Sequence, residues 1–265
     1  MQTQKRLRRQ ENAKYTTMTV ITFVVFFALW QLLAMNDWLV GRYTPSPTEV
    51  LEAFFFKLEN VGPDGNLLGK NILTSLQISM SGFLLAVLIG VPLGLLMGWY
   101  RLLDRFVRPI FEIVRPIPAV SWIPLMIVWI GVGLEAKAVI IFLTAFIPCV
   151  LNSYTGIRQT STALINVAKV YGASNFYTFI HVGVPSAVPL IFAGMRVALA
   201  SSWSCLVAAE MLAASSGLGY MISMGRNFGR ADIVVLGMIV IGLIGYAFTA
   251  IFSLIEKKVV RGGIV

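Results

Sequence analysis

The chain has 265 residues, of which 57% are hydrophobic and 12% charged, with a mean hydropathy of +0.81 and a formal net charge of +9. Soluble domains carry about twice that share of charge, so the composition excludes a soluble globular protein and describes an integral membrane chain. The positive surplus does not call for nucleic acid as a partner, because basic loops facing anionic membrane lipid account for it.

Residues 1–14 hold Lys5, Arg6, Arg8, Arg9 and Lys14 against one acid, Glu11. Tyr15 to Asn36 then runs 22 residues without charge, and about 20 suffice for a helix to cross a bilayer core. The run is too long for a signal peptide and lacks a small-residue cleavage site, so it reads as a retained first span with Trp38 as interfacial anchor. Residues 1–36 form this basic segment and span. Residues 37–70 are polar and broken by Pro45, Pro47, Gly62, Pro63 and Gly65, as befits a periplasmic segment. Within them Ser46 as N-cap, Pro47 at the first position and Glu49 at the third predict a short amphipathic helix, Pro47 to Leu58.

Residues 71–265 form the core, with five further spans. Asn71 to Tyr100 is 30 residues without charge. Gly90, Gly94 and Gly98 recur every fourth residue on one face, where small residues let helices approach closely. Contact with another subunit or the pore, and packing within the chain, both fit. Pro92 is expected to kink the span. After the charged turn of Arg101, Asp104, Arg105 and Arg108 comes Phe111 to Gly133, interrupted by Pro116, Pro118 and Pro124. A straight helix is excluded there, and broken backbone at membrane depth is tolerated where it is packed in protein or lines a water-filled cavity. Arg115 sits at the break and Glu112 one turn before it, on the same face. An arginine in a span is a functional candidate, and snorkelling to headgroups is the alternative.

Ala138 to Ile157 is the fourth span and ends at Arg158. Pro185 to Ala209 is the fifth, contains Arg196 and ends at Glu210. These two charges lie about 21 Å apart along a helix and cannot pair directly. Glu210 either clamps a backbone or arginine at an outer gate or is a solvated helix end. Ala213 to Asp232, rich in Gly and Ser, is expected to leave the apolar core. Ile233 to Ile255 is the sixth span. The fold class is thus all-α integral membrane with six transmembrane helices. Cys149 and Cys205 sit in apolar runs and read as structural thiols rather than a disulfide or metal pair.

With the N-terminus inside, thirteen of the 21 lysines and arginines fall in inner loops and six in outer loops, while Arg115 and Arg196 lie in or near spans. This bias favours cytoplasmic N- and C-termini and places the loop 158–184 inside. That loop is polar and helix-compatible. Leu164, Val167, Ala168, Tyr171 and Ala173 repeat at helical spacing, Gly172 interrupts, Asn175 to His181 forms a second short piece, and Pro185 suits the first turn of the next span. His181 is the only histidine and reads as a surface contact.

The stretch resembles the coupling loop of bacterial ABC importer permeases, which runs Glu-Ala-Ala, three residues, Gly, nine residues, Ile-x-Leu-Pro. Here Asn166-Val167-Ala168, Gly172 and Val182-Gly183-Val184-Pro185 keep the spacing, with Asn166 in place of Glu. RPIPAVSWIPLMIVWIGVGLEAK (115–137), SSWSCLVAAEMLAASSGLGYMI (201–222) and Thr44-Pro45-Ser46-Pro47 are similar to the nitrate, sulfonate (taurine) and bicarbonate importer permeases, so the likeness covers nearly the whole chain. It implies a type I ABC importer permease in the bacterial plasma (inner) membrane. Its partners would be two ABC ATPase subunits that bind the ATP and Mg²⁺, a second copy of the permease, and a periplasmic or lipid-anchored solute-binding protein. The coupling residues would be Asn166, Val167, Ala168, Lys169, Tyr171, Gly172, Ala173, Val182 and Pro185. Candidates for the translocation path or its gate are Arg115, Ser121, Trp122, Arg196, Trp203 and Glu210, which would suit a small anionic solute.

No phosphate-binding G-x-x-x-x-G-K-[ST], no H-E-x-x-H, no G-x-S-x-G and no cluster of metal-ligating residues occurs, so the chain is expected to be a conduit rather than an enzyme, with no cofactor or metal of its own. The rival reading is an ion-coupled secondary transporter without an ATPase partner. It usually needs carboxylates or histidine deep in its spans, and the second, fourth and sixth have none.

Overall fold

The computed structural model describes residues 2–35, 44–213 and 215–261. Trp38 and Arg42 lie outside the described residues. Among these, all regular structure is helical: five helices are long and apolar enough to cross a membrane, and six if one bent pair counts as a span.

Helix α1 (Gln2–Ala34) shows why an all-round apolar helix needs lipid. None of its apolar window is buried, and residues such as Phe23, Val24 and Leu32 stand free. It touches the body near its outer end, where Trp30 donates to the carbonyl of Pro45 at 3.0 Å. Helix α2 (Pro47–Glu59) begins with the expected capping box, Ser46 accepting from Glu49 N–H while the Glu49 carboxylate accepts from Ser46 N–H.

The centre is a sandwich of α3 (Leu68–Trp99) and α9 (Val184–Ala213) on either side of α6 (Leu134–Arg158). The Gly90-Gly94-Gly98 face is used inside the chain. A Cβ at Gly94 would stand 3.0 Å from the Val150 Cα, and one at Gly98 2.9 Å from the Tyr154 carbonyl oxygen. Such proximity matters because lipid tails are as apolar as leucine, so helices associate through van der Waals contact rather than by escaping water. Ile140, Ile141, Ala145 and Cys149 fill the α6 faces, and both cysteines are free and buried. Helix α3 continues through Pro92 as one element.

Helix α4 (Arg101–Val114), a 3₁₀ turn (Ala119–Trp122) and α5 (Ile123–Ile130) form a pair bent by 84°, the geometry of a broken span or a re-entrant loop. Pro116 and Pro118 lack the N–H groups a continuous helix requires, so the break sits where they fall. The chain then runs through α6, α7 (Thr162–Val170) and α8 (Asn175–Thr178) into α9.

Two expectations are corrected. The piece Asn175–His181 is not separate from the fifth span. A π-helical turn, Phe179–Gly183, joins α8 to α9, with Val184 N–H bonding the Phe179 carbonyl. The wider turn shifts the hydrogen-bond register just ahead of Pro185, which has no N–H to give. Nor does the segment after Glu210 leave the apolar core. It folds into α10 (Leu218–Asn227), whose Leu218, Met221 and Ile222 are buried against neighbouring helices before α11 (Ala231–Arg261). Its glycines permit this: a Cβ at Gly219 would meet the Val207 carbonyl oxygen at 2.6 Å.

Candidate functional site

The loop between α6 and α9 is built by local rules. Helix α7 ends at Gly172, whose φ of +76° lets the chain reverse. Ala173 N–H returns to the Ala168 carbonyl at 3.0 Å, the bond that closes a Schellman turn. Ser174 then caps α8, accepting from Tyr177 N–H at 3.2 Å.

No residue of α7 is buried. Leu164 and Val167 are about half exposed, while Val170 and Tyr171 are each 86% exposed. Asn166 and Lys169 are exposed beside them, and Ala168 and Ala173 are half-buried. Val182 and Pro185 are half-buried in the helix below and do not stand on this outer face. His181 stacks on Tyr177 with ring centres 4.0 Å apart, on the exposed side of the loop.

The loop is fastened to the bundle by residues not singled out from the sequence. Trp99, at the end of α3, donates its indole N–H to Asn175 Oδ1 at 3.2 Å and packs on Phe179 at 5.6 Å between ring centres. Gly183 leaves room for it, since a Cβ there would lie 2.8 Å from the Trp99 ring. A tryptophan closing a long apolar run, at the interface, is the only sequence signal that points to it.

The path candidates fall in three places. Arg115 pairs with Glu112 at 3.6 Å, both about half exposed, as their spacing predicts. Ser121 is exposed on the 3₁₀ turn, and Trp122 is half-buried beside it. Arg196 forms an ion pair with Glu256 of α11. It borders a cavity of about 200 Å³ together with Ser204 and Thr249. Trp203 also lines this cavity but is 5% exposed. Its N–H is held by the Ile241 carbonyl at 3.0 Å and its ring meets Phe248 edge-on, so it anchors α9 to α11.

Glu210 is fully buried and clamps backbone. Its carboxylate accepts from Ser75 Oγ at 2.8 and 3.0 Å and from Gly219 N–H at 2.8 Å. Ser75 in turn accepts from Leu218 N–H, and Asn71 accepts from Gly217 N–H. These bonds satisfy backbone donors at the start of α10 that have no partner within the helix. Asn71 donates to Asp64 at 2.7 Å, and Asp64 pairs at 2.6 Å with Lys57, which has no exposed surface. Lys57 also donates to the Asn66 carbonyl at 2.5 Å, and Asn66 reaches the Ser215 carbonyl at 3.2 Å. Lys137 is buried near Glu210. Lys57, Asp64 and Asn66, with Asn71 and Ser75 of α3, thus form one bonded set with Glu210, Ser215, Gly217 and Leu218 around the α9–α10 turn. Lys57 and Asp64 were invisible as a pair in the sequence, where Lys57 counted only as an outer-loop cation.

Residues 90–261 match the family described as "Binding-protein-dependent transport system inner membrane component". The chain is 32% identical over 237 residues to the taurine transport system permease protein TauC of Escherichia coli K12, spanning 88% of this chain and 85% of that protein. It is 32% identical over 246 residues to the nitrate import permease protein NrtB of Leptolyngbya laminosa, spanning 91% and 87%. Among solved structures, a chain of the MetNI methionine ABC transporter superposes with a TM-score of 0.63 at 21% identity, covering 75% of this chain and 96% of that one, which shows a shared fold. A bundle with five or six apolar helices long enough to cross a membrane, matched over most of its length by named importer permeases, is a transport subunit and not an enzyme: the chain belongs to the binding-protein-dependent transport system inner membrane components, as a multi-pass ABC importer permease.

Proposed function

We propose that the chain forms half of a path for a small anionic solute, of the sulfonate or nitrate class named for its relatives. It works by alternating access, driven by ATP hydrolysis in two partner ATPase subunits that bind the ATP and Mg²⁺. A second copy completes the path, a solute-binding protein delivers the solute from outside, and both termini face the cytoplasm. The observation that carries this reading is α7, a helix with no buried residue that presents Leu164, Val167, Val170 and Tyr171 to the surroundings. Exposed apolar side chains at helical spacing suit a cleft in a partner. Closure of that cleft would move α7, and the Trp99–Asn175–Phe179 contact would pass the motion to α3 and α9. Arg196, paired with Glu256 beside the cavity bordered by Ser204 and Thr249, is the basic side chain that an anion would draw from its partner.

The test is cysteine cross-linking in the complex purified with its ATPase. Lys169→Cys is expected to cross-link to the ATPase and to change its yield when ATP is added. Uptake of labelled taurine or nitrate into proteoliposomes is expected to require ATP and to fall on Arg196→Ala. Labelling of the Lys169→Cys thiol from outside intact cells, or uptake that persists without ATP, would overturn the reading.

A further inference from the structure

At the inner end of α6, two guanidinium groups share one ring. The Cζ of Arg108 lies 4.9 Å from the Tyr154 ring centre and that of Arg158 lies 5.7 Å from it. Arg108 also donates to the Tyr154 hydroxyl. One carboxylate faces them: Asp104, 3.3 Å from Arg108 Nε and 3.5 Å from the Tyr154 hydroxyl. Arg158 makes no ion pair among the described residues, and Arg101 and Arg105 are exposed on the same helix as Arg108. Two like charges on one ring with one counter-charge leave a local positive surplus that an anion would offset.

Directly above this cluster the surface is apolar and hollow. A cavity of about 240 Å³ opens between α4 and α6, lined by Val107, Phe111 and Val114 on one side and Phe142, Phe146 and Ile147 on the other. Tyr154 and Ile147 are seven residues apart on one helix, about 10 Å at the helical rise. One leaflet of a bilayer holds roughly 15 Å of hydrocarbon, half the core thickness. At the lip of the cavity Ile110 is 67% exposed. The cleft therefore has an apolar slot at acyl-chain depth and, at headgroup depth, a cation cluster with one counter-charge, Asp104 on Arg108, and none on Arg158.

We propose that this cleft holds one anionic phospholipid of the surrounding membrane. An acyl chain lies along the slot, over the touching rings of Phe111 and Phe146, and the phosphate with its anionic headgroup bridges Arg158, Arg108 and Arg105. A guanidinium offers a planar fork matched to phosphate oxygens, and basic pockets between membrane helices are suited to such headgroups. Arg115 and Trp122 also line this cavity, so a lipid seated in it takes both of them off the solute path.

The test is native mass spectrometry of the purified complex, released from nanodiscs made of equal parts dioleoylphosphatidylglycerol and dioleoylphosphatidylcholine. The wild type is expected to keep phosphatidylglycerol in preference to phosphatidylcholine. Arg158→Gln is expected to cut the retained phosphatidylglycerol about fivefold, the worth of one basic residue near a membrane surface. Arg158→Lys should restore much of it, and Leu143→Trp, which fills the slot, should lower retention with the basic cluster intact. Equal retention of the two lipids by the wild type, or unchanged phosphatidylglycerol in Arg158→Gln, would overturn the proposal. So would cross-linking of Ile110→Cys between two copies, which would show that a second copy covers the cleft.

Discussion

The two ends of the bundle are held by opposite means. At one end, Lys57, Asp64, Asn71, Ser75 and Glu210 are buried and bonded to one another or to the backbone around α10. At the other, α7 buries nothing and the loop that holds it is fastened through Trp99. Buried charges are costly unless every partner is present, so this buried knot tolerates one arrangement. An exposed helix with few contacts can move as a unit at little cost. The difference places stiffness where α2, the loop after it and the α9–α10 turn must keep one shape, and leaves α7 with few contacts to hold it.

Breaking the knot should have the largest effect. Glu210→Ala strands Ser75, Gly219 N–H and the nearby Lys137, and removal of one member of a buried charged set costs about 3–5 kcal/mol. We expect a large fall in the thermal midpoint of the detergent-solubilised protein, with Glu210→Gln falling less because it keeps an acceptor. Lys57→Met strands Asp64 in the same way, and the double change Lys57→Met with Asp64→Leu should recover only part of the loss, since the Asn71 amide and the Asn66 carbonyl then lose their partners. A double variant no better than the single one would show that the ion pair itself is needed.

Between the two ends, Gly94→Leu forces a side chain against Val150 and Ser153, whose Cβ lies 2.9 Å from the first added atom. Overpacking of this kind costs about 1–3 kcal/mol, measurable in the same melts. The smallest stability effect is expected at the exposed helix. Val170→Asp on the exposed face of α7 should change stability by less than about 0.5 kcal/mol. It should nevertheless abolish ATP-driven uptake in proteoliposomes. If Val170→Asp lowered the midpoint as far as Glu210→Ala, the contrast between the ends would be wrong.

Much of the fold was legible because its causes are local. The Ser46–Glu49 capping box, the reversal at Gly172, the proline break after Val114 and the Glu112–Arg115 pair each depend on a few neighbouring residues. What was misread depended on context. The segment after Glu210 looks too rich in Gly and Ser for a core, yet those small residues are what let α10 sink between α9 and α11. Asn175–His181 looks like an isolated piece because a π turn leaves no clear mark in the sequence.

Hydropathy and backbone chemistry act within a turn or a span, so the sequence alone determined the long apolar helices, the proline break after Val114 and the exposed helix with its glycine stop. The partners of the buried charges were decided only when the helices packed. Ser75 and Glu210 are 135 residues apart, and Arg196 and Glu256 are 60 apart. A carboxylate reads the same in a sequence whether it meets water, an arginine or a backbone amide, and only the geometry of packed helices chooses among them.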